Sequence, residues 1–160
     1  MSSRTSTIQG AAGFTLVEII LVSAISLILA SMFFLNVTRQ NVVFELDEAA
    51  YSLTAVLRDA SERARGQDGG TAWGVYFVNP AGAPDYHALF SGSTFTAANS
   101  TVYLPPKVEF SDPGSGANKE VVFAKVTGLP GAATAVTIQV IDSPSDSRTI
   151  TINANGSISY

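Results

Sequence analysis

One carboxylate lies inside a long apolar run near the start of the chain. The run extends from Phe14 to Leu35 and is almost wholly apolar, yet its fifth residue is Glu18. A carboxylate in the interior of a bilayer costs roughly 2.5–3.5 kcal/mol on insertion scales. A buried charge of that cost is expected to have a partner of opposite sign. The chemistry that Glu18 offers is therefore the neutralisation of a buried positive charge.

The remaining polar residues give weaker indications of chemistry. The single histidine, His87, lies in a predicted strand beside Tyr86 and is expected to be structural or exposed, because no G-x-S-x-G motif accompanies it. Asp142 and Asp146 lack the ligand spacing of a calcium loop and are expected to flank a turn at Pro144. There are no cysteines for thiolate chemistry. No enzyme, cofactor or metal site is predicted.

The charge distribution argues against nucleic acid as a partner. The chain has 9 Lys and Arg residues against 13 Asp and Glu residues, giving a net charge of −4. The longest basic cluster is the pair Arg63 and Arg65, and no cation follows Arg148. Backbone contacts to phosphates need several clustered cations for useful affinity. Binding to DNA is therefore not expected of this chain acting alone.

The apolar run that contains Glu18 is long enough to cross a membrane. As a helix, residues 14–35 would span about 33 Å, close to the thickness of the hydrocarbon core. The small residues at positions 10–13 precede the run, whereas in a secretory signal peptide they follow it. A cut among them would leave the apolar segment in the mature protein. The sequence therefore predicts a retained single-pass helix, and Arg4 and Arg39 on opposite sides leave its orientation open.

The helix is predicted to continue beyond the apolar run as an amphipathic segment over residues 36–66. No proline or glycine occurs between Phe14 and Arg65, and Gly66 follows as a helix-ending residue. Apolar residues then recur at alternating steps of three and four: Val43, Leu46, Ala50, Leu53, Leu57, Ala60 and Ala64. The opposite face is polar: Glu45, Glu48, Ser52, Asp59, Glu62 and Arg63. This half of the helix is expected to lie against a sheet.

Residues 67–160 have the pattern of a β-rich domain. Short alternating stretches are separated by Gly, Pro, Asn and Ser, which is typical of antiparallel strands. Trp73, a predicted core residue, alternates with Val75 and Phe77, and Tyr86 alternates with Ala88 and Phe90. Further strand candidates are STVYLP, KVEF, KEVVFAKVTG, TAVTIQVID, SRTITINA and GSISY. Asn155-Gly156 between the last two predicts a type I′ hairpin, and the whole predicts an α+β fold.

The string GFTLVE at residues 13–18 resembles the processing motif of type IV pilins and pseudopilins. The resemblance implies that residues 1–13 are a leader peptide, that prepilin peptidase cuts between Gly13 and Phe14, and that Phe14 becomes N-methylated. It also implies that Glu18 is the assembly glutamate. The RDASERARG turn, the following W-G strand and the terminal I-x-I-x-x-x-G-x-I hairpin are similar to those of the pseudopilin H and FimT-like branch.

The spacing of Phe14 and Glu18 gives the resemblance a physical rationale. The two residues are one helical turn apart, so a neighbouring helix displaced by about a turn would bring its amino terminus level with Glu18. Two buried charges of opposite sign would then neutralise each other. Pairing of Glu18 with the amino terminus of its own chain is an open alternative.

The resemblance implies a structural subunit of a type IV pilus-like or type II secretion filament. Its expected partners are other pilin or pseudopilin subunits, prepilin peptidase, the inner-membrane assembly platform and membrane lipid. The expected location is the cytoplasmic (inner) membrane, as a single-pass protein whose β domain lies outside the cytoplasm, and then an extracellular pilus or periplasmic pseudopilus. The alternative is a membrane-anchored minor pilin or binding module, used for adhesion, assembly priming or DNA uptake.

Overall fold

The structure, a computed structural model, describes residues 14–160, except for the side chains of residues 32–39. The predicted leader, including Gly13, lies outside the described residues. The chain divides into two units between Arg39 and Gln40, and the second, Gln40–Tyr160, contains the β domain.

One helix, α1, extends over Leu16–Arg65, as the absence of proline and glycine in this region predicts. Its end follows from local chemistry. Gly66 N–H donates to Glu62 O at 2.8 Å, and Gln67 adopts a left-handed conformation with φ 57°, which stops the helix. Arg63 and Arg65 lie in the last turn, where cations are favoured by the helix dipole. A 3₁₀ turn over Asp68–Gly70 leads into the first strand.

The β domain contains eight antiparallel strands in two four-stranded sheets, whereas the sequence pattern predicts one sheet against the helix. The strands are β1 Trp73–Val78, β2 Tyr86–Ser91, β3 Ser100–Tyr103, β4 Val108–Asp112, β5 Asn118–Phe123, β6 Thr134–Val140, β7 Ser143–Ile152 and β8 Ile158–Ser159. Sheet A has the order β3-β2-β1-β5, and sheet B has the order β4-β6-β7-β8. The chain therefore crosses from sheet A to sheet B at β4, returns for β5, and then completes sheet B.

The apolar stripe of α1 packs into one core with both sheets. Six of its seven predicted residues are buried, and Val43 is half-buried. Sheet A contributes Val75 and Phe77 to this core, and sheet B contributes Ile138 and Ile150. The rings of Phe77 and Phe110 meet edge to face with centroids 5.7 Å apart, which joins the two sheets directly. The predicted packing of the helix is therefore confirmed, with two sheets around it.

Two buried polar side chains fasten sheet A to β4. Asn79 Nδ2 donates to the carbonyl oxygens of Phe110 at 2.7 Å and Pro113 at 3.0 Å. Asp85 Oδ2 accepts from Phe110 N–H at 2.6 Å. Burial raises the pKa of Asp85, and the hydrogen bond from Phe110 partly opposes that change. These bonds satisfy backbone groups that would otherwise be unpaired at the junction between the sheets.

Two turn predictions were wrong in their details. The β7–β8 hairpin exists, but only Gly156 has positive φ, at 83°, and its N–H donates to Asn153 O. A type I′ turn needs positive φ at both central residues, so Gly156 instead follows the turn in a left-handed position. Pro144 lies inside β7, because Val140 pairs with Ser143 and Gln139 with Ser147, leaving residues 144–146 as a bulge.

Candidate functional site

The first half of α1 presents apolar side chains on all of its described faces. The large apolar residues from Phe14 to Leu29 are between 50% and 80% exposed. The hydroxyls of Ser23 and Ser31 donate back to Ile19 O and Ile28 O, so they satisfy themselves within the helix. A helix that is apolar all round is stable only when other apolar groups surround it.

Among the residues whose placement the structure describes, no helical stretch has both the length and the hydropathy that a membrane crossing requires. The predicted span over residues 14–35 includes positions 32–35, whose side chains lie outside the described set.

Glu18 lies in the first turn of α1, where its backbone takes part in capping the helix, a role that charge pairing alone does not predict. Thr15 Oγ1 accepts a hydrogen bond from Glu18 N–H at 3.2 Å, so Thr15 caps the helix. The sequence T-x-x-E over residues 15–18 is the signature of a capping box, and an acidic residue is favoured there by the helix dipole. Phe14 precedes this cap and is exposed. The motif itself was visible in the sequence.

His87 is buried rather than exposed. It lies in β2 opposite Phe77 of β1 and Val102 of β3, and its side chain is only 4% exposed. Burial lowers the pKa of His87 to about 4, so the imidazole is neutral at physiological pH. Its Nδ1 atom has no hydrogen-bond partner among the described residues.

A groove runs between α1 and the β2–β3 side of sheet A, with His87 in its floor. Two neighbouring cavities of about 220 Å³ and 410 Å³ make up this groove. Both are bordered by Ser52 of α1, by His87 and by Val102. Other lining residues are Glu48, Leu53, Val56, Asp59, Arg63, Leu89, Tyr103 and Leu104. The groove thus has an apolar floor with one buried hydrogen-bonding group and charged residues at its mouth.

The other residues singled out from the sequence have structural partners. Trp73 is a core residue, as predicted; its Nε1 donates to Asp68 O at 2.9 Å, and the Arg63 guanidinium lies 4.9 Å from its ring centre. Asp142 pairs with Lys107 at 2.8 Å, while Asp146 accepts from Ser143 Oγ at 2.9 Å. Within the described part of the chain, no group of three or more metal-ligating side chains lies close together.

Four cations of the β-domain unit are engaged in ion pairs. Arg63 binds Asp59 and Asp68, and Arg148 binds Asp47 at 2.8 Å. Lys107 and Lys119 pair with Asp142 and Asp112 respectively. Each of these four positive charges therefore already has a carboxylate partner.

No protein-family model and no curated protein matches the chain. Among solved structures, the type IV minor pilin FimU of Pseudomonas aeruginosa strain PAO1 is similar in two crystal forms. One form has 15% sequence identity and a TM-score of 0.50, covering 71% of this chain and 90% of FimU. The other has 16% identity and a TM-score of 0.49, covering 72% and 87%. The first match shows that this chain has a pilin-like fold, with an N-terminal helix packed on antiparallel β structure.

Proposed function

We propose that the chain is a subunit of a type IV pilus-like or type II secretion filament and assembles through the first half of α1. The observation that supports this most directly is that the two halves of α1 differ in burial. The apolar-stripe residues from Leu46 to Ala64 are buried against the β domain, whereas the large apolar residues from Phe14 to Leu29 are exposed. In a filament, the corresponding apolar halves of neighbouring helices would cover one another, and the β domains would form the outer surface.

The processing steps follow from the motif at residues 13–18. We propose that prepilin peptidase cuts between Gly13 and Phe14 and that Phe14 is then N-methylated. The new amine carries a positive charge that Glu18 of a neighbouring subunit neutralises. The cap from Thr15 and this pairing are compatible, because the cap uses the backbone N–H of Glu18 and leaves its carboxylate available.

Before assembly, the exposed apolar half of α1 needs an apolar environment. We propose that the cytoplasmic (inner) membrane provides it, with the β domain outside the cytoplasm and the assembly platform as the partner that extracts the subunit. The final location is then an extracellular pilus or a periplasmic pseudopilus.

A minor pilin or membrane-anchored binding module is the alternative. The similar fold belongs to a protein described as a minor pilin, and the groove beside His87 offers a surface for a partner. In this case the chain would be present at few copies, for adhesion, assembly priming or DNA uptake. The engagement of four cations in ion pairs makes DNA uptake the weakest of these roles. The number of copies per filament separates a minor subunit from a major one.

The test compares two substitutions in the capping box of the full-length chain, in cells with an active prepilin peptidase. Glu18→Gln keeps a side chain that suits the capping box but removes the charge, whereas Thr15→Ala removes the cap and keeps the charge. Leaving a partner charge unpaired costs about 3–5 kcal/mol, so Glu18→Gln should lower filament incorporation more than about a hundredfold. Thr15→Ala should cost only about 1 kcal/mol.

Mass spectrometry of the mature amino terminus accompanies this comparison. We expect a methylated Phe14 at the start of the wild-type protein. A protein that begins elsewhere would refute the processing step. Equal incorporation of Glu18→Gln and wild type would refute the role of the charge and leave only helix capping.

A further inference from the structure

Among the residues that the structure describes, β3 is the edge strand that has none of the usual features that prevent pairing with another chain. Native proteins protect such edges with charges, proline, bulges or very short strands. On β5, Lys119 and Glu120 provide charge; β4 has a register shift between Phe110 and Asp112; and β8 has only two residues. The sequence of β3 is STVY, which has no charge and no proline, and its pairing with β2 has no register shift.

On the side of β3 that faces away from β2, backbone N–H and C=O groups have no strand to pair with. Leu104 N–H donates to Asp85 O at 2.9 Å, which identifies these two opposite residues as a hydrogen-bonded pair. Such pairs alternate along an antiparallel ladder, so Val102 bonds to His87 while the N–H and C=O of Thr101 and Tyr103 point away from β2. Val102 and Tyr103 are 45% and 63% exposed. A polypeptide in extended conformation is the partner that these outward groups fit.

The groove lies directly behind this edge. Val102 faces the same side of sheet A as His87, because the two residues are opposite each other in register. A strand added outside β3 would place alternate side chains between Val102 and Ser52 of α1, since side chains alternate between the faces of a sheet. Such a side chain would meet the apolar groove floor, which includes the side chain of His87, and the hydroxyl of Ser52 at its border.

The charges at the mouth of the groove restrict the partner further. Glu48 and Asp59 both lie there, and Arg63, which also borders the groove, is held by Asp59 and Asp68. The carboxylates of Glu48 and Asp59 outnumber the one guanidinium of Arg63, so the mouth carries a net negative charge, and a segment flanked by lysine or arginine is complementary to it.

We propose that β3 and the groove behind it form a strand-addition site for an extended segment of a neighbouring filament subunit. That segment carries an apolar side chain with a hydrogen-bonding group, which enters the groove at His87, and a basic residue beside it. The proposal rests on the proposed function, because its occupant is another subunit of the same filament.

Photocrosslinking in assembled filaments tests this site. The chain has no native cysteine, so Val102→Cys provides a single thiol for a benzophenone maleimide, and Ser159→Cys on the β8 edge is the matched control. The label at position 102 should join this chain to an extended, basic segment of another subunit, identified by mass spectrometry. A yield no greater than that of the Ser159 control, or attachment to a protein that is not a filament subunit, would overturn the proposal.

A backbone substitution provides the second measurement. Thr101→Pro removes an outward N–H without touching the β2 ladder, and Thr101→Ala keeps that N–H. Crosslinking from position 102 should fall about tenfold in the proline variant and stay unchanged in the alanine variant. Trp73 fluorescence verifies that each variant is folded, and Tyr103→Pro replaces Thr101→Pro if the latter unfolds. Equal yields from the two Thr101 variants would refute strand addition.

The crosslinking experiments also distinguish strand addition at β3 from the proposed function of the chain as a filament subunit. If the wild-type chain is absent from purified filaments, the proposed function fails, and the neighbouring-subunit partner fails with it. If the wild-type chain is present and the β3 variants behave as their controls do, only strand addition is refuted.

Discussion

Acidification should destabilise the β domain through His87. The folded-state pKa of about 4 lies below the ordinary value of 6.5, because burial disfavours the charged imidazole. Between these two values the unfolded chain binds more protons than the folded chain, so the free energy of unfolding decreases as the pH falls. The stabilising contribution is complete above pH 6.5 and is lost on descending to pH 4. The whole difference amounts to about 3 kcal/mol, of which about 2 kcal/mol is lost between pH 7 and pH 5.

Urea unfolding of the full chain in detergent micelles measures this loss. Trp73 is the only tryptophan and is buried in the β domain, so its fluorescence reports directly on unfolding of that domain. His87→Leu is the matched variant, since it removes the titrating group and keeps an apolar side chain in the core. Asp85, whose raised pKa acts in the opposite direction at lower pH, is present in both proteins. The difference between the two pH profiles therefore isolates the imidazole.

Two results would refute this reasoning. The first is a wild-type profile between pH 7 and pH 5 that parallels the profile of His87→Leu. The second is an NMR titration of the folded protein that gives an imidazole pKa between about 6 and 7, close to the unperturbed value. Either result would mean that the folded state accommodates the protonated ring, through solvent or through an acidic neighbour such as Glu48 at the groove.

Two substitutions test the contacts that join the elements, with urea unfolding followed by Trp73 fluorescence as the measurement. Gly128 has φ 63°, and a Cβ there would lie 2.7 Å from Ser61 O on α1, so Gly128→Ala should lower stability by about 2–3 kcal/mol. Gly114 has nothing within 4 Å of such a Cβ, so Gly114→Ala should be nearly neutral, and equal effects would contradict the docking of this loop. Asn79→Ala leaves the carbonyl oxygens of Phe110 and Pro113 without their donor and should cost about 2–3 kcal/mol. A loss below about 0.5 kcal/mol would show that water replaces the amide there.

Local periodicity predicted the helix well because it is a property of neighbouring residues. The steps of three and four from Leu46 to Ala64 place these side chains on one face of any helix, whatever packs against it. The helix cap formed by Thr15 and Glu18 could also have been predicted from the sequence. The four consecutive residues from Thr15 to Glu18 carry the pattern of a capping box, and the carboxylate that is costly in an apolar run is favoured in the first turn of a helix.

The division into two sheets could not be predicted, because alternation identifies the faces of a strand and not its partners. β4 lies between β3 and β5 in sequence but pairs with β6, and nothing in its own five residues specifies that choice. Long-range pairing depends on how the whole core closes. The two polar groups that fasten β4 to sheet A, Asn79 and Asp85, likewise acquire their roles only after that closure.

The burial of both faces of β2 could not be predicted from its alternating pattern either. Alternation placed Tyr86, Ala88 and Phe90 on one face, but both faces of this strand are covered. His87 and Leu89 face α1, and Phe90 is buried on the opposite side. Gly74 makes this burial possible, since a Cβ there would lie 2.5 Å from the Phe90 ring. The ring of Phe95 packs edge to face against Phe90, so a loop residue with no strand pattern completes this second apolar cluster.

His87 differs from the buried polar residues that join elements of the fold, because those residues form hydrogen bonds. Asn79, Asp85 and Ser61 are buried and bonded where elements meet, whereas His87 Nδ1 has no partner among the described residues. A buried unsatisfied group costs about 1–3 kcal/mol, and here it borders the sheet edge that lacks protection. His87→Leu should therefore raise the stability of the single chain at neutral pH and weaken crosslinking from position 102. Replacing a histidine with no role at the groove would leave crosslinking from position 102 unchanged, so a gain in stability together with a loss of crosslinking identifies a group kept for a partner.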